Sequence, residues 1–232
     1  MNETASSSIR PAETRLIGAI CVLFVLAFLF MQSQELPYDD ADDTGKTLIA
    51  FLDHHTTDAK GEVIGVALVV AIWALLFPLL WRLLRAAERV RGTGWHAVAL
   101  SGGAGVVAAV SVAVAIQRAL VLGAGDADAS PGAYMLAQHV SDGLFVLATL
   151  MTGWFLLGAG LVIVRSRPVA KWLGVLALIG AAANLVGAAL GLTSNGEEGV
   201  AGLLMFVGQI SWLLFVLVLG VLLLRGRFAV AV

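Results

Sequence analysis

Three ionisable residues, Arg118, His139 and Asp142, fall inside long apolar runs of this chain. Their types could support a proton relay or a polar substrate contact. His139 and Asp142 are three apart, which puts them on one face if the run is helical. Arg118 lies about one turn before the end of its run, and Asp142 about one turn after the start of the next. In an antiparallel hairpin the two reach the same depth. An unpaired charge within a membrane span costs roughly 3 kcal/mol or more, so an Arg118–Asp142 pair is expected. Gln117 and Gln138 flank it. The functional reading is an outer binding site of Arg118, His139, Asp142, Gln117 and Gln138. The structural reading is an ion pair tying two spans together near the interface, where long side chains snorkel.

Asn184 and Gln209 are matched in depth in two later runs. They form a candidate interhelical contact, worth ~0.6 kcal/mol as a hydrogen bond.

Other constellations fall short of chemistry. His54 and His55, near Asp53 and Asp58, diverge on a helix, so no metal site is expected. His96 and His139 sit at opposite ends of their runs, which disfavours a bis-histidine haem. Ser101 and His139 are similarly separated, too far apart for a nucleophile and its base. Gly45-Lys46-Thr47 lacks the upstream glycine of a phosphate-binding loop. Cys21 is the single cysteine, so neither an intrachain disulfide nor a thiolate cluster can form. No catalytic residue and no cofactor are assigned.

The elements that position these residues follow from composition. Of 232 residues, 59% are hydrophobic and only 13% charged, about half the charged share of a soluble domain. Mean hydropathy is +0.94. Too few polar side chains remain to clothe a surface in water, so lipid is the expected solvent. The fold class is an all-α polytopic transmembrane bundle.

Six apolar runs, at about residues 16–31, 62–84, 97–122, 136–164, 169–192 and 199–224, are long enough to cross ~30 Å of hydrocarbon, the first only marginally. Together they make one domain over 14–226, between a polar tail at 1–13, read as disordered, and a short tail at 227–232. The first run lacks a small-x-small cleavage pattern before Gln32 and is read as a retained span. Pro78 lies inside the second run.

The acidic stretch 32–61 contains Leu48, Ile49, Phe51 and Leu52 at helical spacing. It is either an amphipathic helix lying on the membrane surface or a packed helix closing the bundle.

Lysine and arginine set the orientation. Eleven of the 14 fall on the side of the two termini and of the second and fourth loops. Of 16 acidic residues, only Glu3, Glu13 and Glu88 lie there. Both termini are therefore placed in the cytoplasm of a multi-pass cell-membrane protein. Its loop arginines suit lipid headgroups better than nucleic acid.

Residues 153–191 carry a pattern of their own. Gly158, Gly160 and Leu161 are followed by Arg165-Ser166-Arg167, then by Lys171-Trp172-Leu173-Gly174-Val175-Leu176. This resembles a family of uncharacterised bacterial six-span membrane proteins, a domain of unknown function, in which a short arginine-containing turn leads into a Leu-Gly-Val-Leu run. Here Pro168 precedes Val169-Ala170-Lys171, whereas the family more often has proline nearer the second basic residue. The resemblance implies a fold and a location, and no reaction.

The default functional reading is a non-enzymatic accessory or interaction protein, with a membrane-protein partner or a second copy left open. The alternative is a small transporter or proton-coupled permease using Arg118, His139 and Asp142. A membrane-embedded enzyme comes third, because no nucleophile, metal cluster or cofactor motif stands at workable geometry. The readings divide on Asp142. A dry contact with Arg118 favours internal glue, and a solvent funnel favours transport.

Overall fold

The computed structural model describes residues 10–33, 45–88, 93–126, 128–193 and 199–228. The polar tail to residue 9, residues 34–44 of the acidic stretch, residues 89–92, 127 and 194–198 and the last four residues lie outside them. Among the described residues there are seven α-helices and no strand. They are α1 (Pro11–Gln32), α2 (Gly45–His54), α3 (Thr56–Glu88), α4 (Trp95–Gly123), α5 (Pro131–Ser166), α6 (Lys171–Thr193) and α7 (Val200–Leu224). All except α2 are long and apolar enough to cross a membrane.

Local chemistry sets several ends. Pro11 and Pro131 open α1 and α5, where the missing N–H loses no helical bond. Arg167 ends α5 in the left-handed region (φ 51°), and its N–H is donated to the Ile163 carbonyl. Pro168 then prevents continuation.

The six long helices close into a ring. Each of α3, α4, α5, α6 and α7 packs on the next, and α1 joins α7 back to α3. Small residues permit the closest approach. A β-carbon added at Gly102 would overlap the backbone of Phe155, and one at Gly158 the backbone of Ala99. These glycines are what let α4 and α5 pack backbone to backbone.

The ring has a basic end and an acidic end. At the basic end Arg82 pairs with Glu13 at 2.9 Å. Arg85 and Arg165 lie 5.3 and 5.6 Å from the ring centroids of Trp81 and Trp95. Half the bundle on this side is solid, filled by Leu76, Leu80, Leu83, Phe155, Ile163 and Phe215.

Glu88 closes the α3–α4 connection and is buried, with 2% exposure. Its carboxylate accepts bonds from the Thr93 hydroxyl and from the backbone N–H groups of Trp95 (3.0 Å) and His96 (2.9 Å), with the His96 Nδ1 at 2.6 Å. An anion at the start of α4 satisfies helix donors that have no partner within the helix.

At the acidic end, α2 turns Leu48 and Leu52 inward onto Val63, Leu120, Val121 and Tyr134. Of the two sequence readings of this segment, the helix packed against the bundle is the one observed.

Candidate functional site

Between the solid half and the α2 lid the ring does not fill. A cavity of about 1210 Å³ occupies the acidic half of the bundle, slightly beyond the roughly 300–1,000 Å³ usual for small-molecule sites. Every long helix contributes to its wall. The elements reach it with the same end: the last turns of α1, α4 and α6, and the first turns of α3, α5 and α7.

The lining is graded. Gln32, Glu62, Gln117, Gln138, His139 and Asp142 form a polar mouth. Helix α5 runs down the wall, carrying Thr149 about 10 Å deeper than Asp142 at 1.5 Å per residue, with Thr152 below it. The floor is aromatic. Phe24 meets Trp73 and Trp212 at centroid distances of 5.1 and 5.2 Å, Trp73 meets Trp212 at 5.2 Å, and Phe28 meets Trp212 at 5.8 Å. Valines 66, 69, 70, 106 and 110 complete the apolar wall.

The structure brings Gln117, Gln138, His139 and Asp142 onto this wall, and Gln209 as well. It does not bring Arg118. The Arg118–Asp142 pair expected from the hairpin is absent: among the described residues the ion pairs are Arg82–Glu13, His96–Glu88 and His55–Asp58. Asp142 instead accepts a hydrogen bond from Gln138 Nε2 at 2.9 Å, one helical turn away. The reason is rotation rather than depth. Consecutive helical residues differ by about 100°, so with Gln117 facing the cavity, Arg118 points out of the bundle and is exposed.

The Asn184–Gln209 contact fails in the same way. Asn184 is fully buried, yet both its amide oxygen and nitrogen lack a hydrogen-bond partner among the described residues. Its side chain abuts Gly208, where a β-carbon would overlap it. Gln209, one position on, is turned to the cavity.

Glu62, Thr149, Thr152 and the four floor aromatics were not singled out from the sequence. For α5 a signal existed, since Gln138, Asp142, Phe145, Thr149 and Thr152 recur at spacings of four and three, a single helical stripe. His54 and His55 stack edge to face at 4.9 Å. Among the described residues no group of three or more His, Cys, Asp or Glu could hold a metal ion.

These features define the class: an all-α, multi-pass membrane protein with a large polar-mouthed cavity in one half of its helix ring. The chain matches the family described as domain of unknown function DUF4386 over residues 16–220, and it belongs to that family. No curated protein and no solved structure matches it.

Proposed function

We propose that this chain is a small binding or transport protein of the bacterial cytoplasmic membrane, with both termini in the cytoplasm and its cavity open to the outside as a vestibule for a small amphiphile. The observation that carries this reading is the cavity itself, polar at the mouth and aromatic at the floor. Internal glue calls for a dry Arg118–Asp142 contact. Asp142 is instead on the wall of a cavity spacious enough for a ligand, and Arg118 is rotated away from that wall. The packed layer of leucine and phenylalanine beneath Trp73 and Trp212 blocks the route to the basic end. An outward-open carrier needs such a floor, and so does a receptor. Orientation rests on the 11 of 14 basic residues gathered at one end and on the arginine–tryptophan contacts there.

Nitroxide labels test the vestibule. A label at Thr149 is expected to collide more with a water-soluble nickel chelate than with oxygen. A label at Val112, 52% exposed on the outside of α4, is expected to do the reverse. Oxygen-dominated collisions at both positions would contradict an aqueous vestibule.

A further inference from the structure

We propose that the basic end of the ring binds an anionic phospholipid of the adjoining leaflet, its phosphodiester headgroup held at Arg85 and Arg165 and an acyl chain laid along α5. The inference is independent of the vestibule.

Charge is the first ground. Eleven lysines and arginines gather at this end against three acidic residues, Glu3, Glu13 and Glu88. Glu13 is held by Arg82 at 2.9 Å, and Glu88 is buried against the backbone N–H groups of Trp95 and His96. The excess is a property of the sequence and holds however the other side chains pair. Because Glu88 already takes the donors that open α4, an incoming anion must be met by side chains instead.

Placement is the second ground. A topology signal needs only the sign of its charges. Here two guanidinium groups are also laid over indoles, Arg85 at 5.3 Å from the Trp81 centroid and Arg165 at 5.6 Å from that of Trp95. The Trp81 ring lies 6.3 Å from that of His96, the neighbour of Trp95. These five residues make one band across α3, α4 and α5, with exposed arginines and half-buried rings. A guanidinium carries its N–H donors in its plane, in a fork that matches phosphate oxygens, and stacking on a ring uses its face. Tryptophans prefer the level of the headgroups.

The third ground favours a lipid over a free phosphate. Leu161, Leu157 and Trp154 precede Arg165 on one side of α5 at spacings of four, four and three. The leucines are half-buried and Trp154 is 42% exposed. From Arg165 to Trp154 the helix covers about 16 Å, and the hydrocarbon of one leaflet is about 15 Å thick. The stripe offers an acyl chain an apolar surface over its depth, continuous with the arginine at the head. A free phosphate would use only the top of it.

The test uses the full chain in a neutral detergent. Binding of the first lipid is measured by native mass spectrometry with dioleoyl phosphatidylglycerol and, in parallel, dioleoyl phosphatidylcholine. Phosphatidylglycerol is expected to bind at least tenfold more tightly. Arg85→Gln combined with Arg165→Gln is expected to remove most of that preference, at about fivefold per arginine. Arg225→Gln combined with Arg227→Gln takes the same charge from the same end and is expected to change it less than twofold. Millimolar inorganic phosphate is expected not to displace the lipid. The single variants keep the comparison available if the double variant folds poorly, with helix content followed by circular dichroism. Equal losses in the two pairs would overturn the site and leave a diffuse cationic surface. Equal binding of the two lipids would overturn the anionic assignment, and displacement by inorganic phosphate would overturn the lipid.

Discussion

Glu88→Gln is expected to lower the unfolding free energy at neutral pH by about 2–3 kcal/mol, among the larger effects open to a single substitution. The amide keeps the shape of the side chain. It replaces one acceptor oxygen by a donor nitrogen, however, and so faces a set of groups that all donate: the Thr93 hydroxyl and the N–H groups of Trp95 and His96. The same geometry sets the acid behaviour. Burial by itself would raise the Glu88 carboxyl. The bonds from Thr93, His96 and Trp95 outweigh it and hold the group at about 2, against an ordinary 4.5. A carboxyl depressed on folding stabilises the folded state fully above its unfolded value. That contribution fades as pH falls through 4.5 and is gone once pH drops below the folded value near 2. The wild type is therefore expected to lose roughly 3 kcal/mol across that interval. The Gln variant starts lower and has a flatter profile. Thermal melts in detergent followed by circular dichroism, run from pH 7 down to pH 2, check both statements. Parallel profiles for the two proteins would contradict the clamp.

The second large effect is at Gly143, on α5 at the cavity mouth. Among the described residues nothing lies within 4 Å of the position a β-carbon would occupy there, unlike Gly102 or Gly158, where backbone stands in the way. Gly143→Trp therefore adds its ring to open space without displacing a packed neighbour. It is expected to narrow the entrance and slow by at least tenfold the reaction of a cysteine placed at Thr149 with a small water-soluble thiosulfonate, while leaving helix content unchanged. Gly143→Ala serves as the control. It removes a flexible residue from a helix interior and is expected to raise stability by ~0.5–1 kcal/mol with the labelling rate at position 149 retained. Labelling rates and thermal melts on the two variants separate blockage from damage. If the tryptophan variant were labelled as fast as the alanine variant, Gly143 would not lie at the entrance.

The number and order of the long apolar helices were legible in the sequence, and rotation about each helix was not. Each of the six apolar runs is matched by one long helix, α6 and α7 beginning at Lys171 and Val200, just after their runs do, because a span must be continuous and apolar to satisfy its own backbone in lipid. A helix in the acidic loop was legible too, from Leu48 and Leu52 at helical spacing, but not whether it lay on the membrane surface or packed on the bundle. Each proposed pairing missed by one residue along a helix. Gln117, not Arg118, faces inward, and Gly208, not Gln209, faces Asn184. In a helix so apolar on every side, no periodicity reveals which stripe faces the bundle. Glu62 was missed for a different reason. Its place on the same cavity wall as Asp142 depends on α1 and α7 closing the ring, a contact between distant parts of the chain that no local pattern encodes. Glu88 had a visible signal, as one of only three acidic residues on the basic side, seven residues before the helix opened by Trp95. Its role as a cap follows once α4 is seen to start there.

The central claim is that a water-filled space reaches from the outer surface down to Thr149. A cysteine at that position, Thr149→Cys, probed in intact cells with a small membrane-impermeant thiosulfonate, tests it most directly. Cys21 is fully buried and contributes little background. Modification by reagent added only outside the cell is the expected result. Modification only after the cells are opened, or none under either condition, would contradict an outward-facing cavity and the function inferred from it.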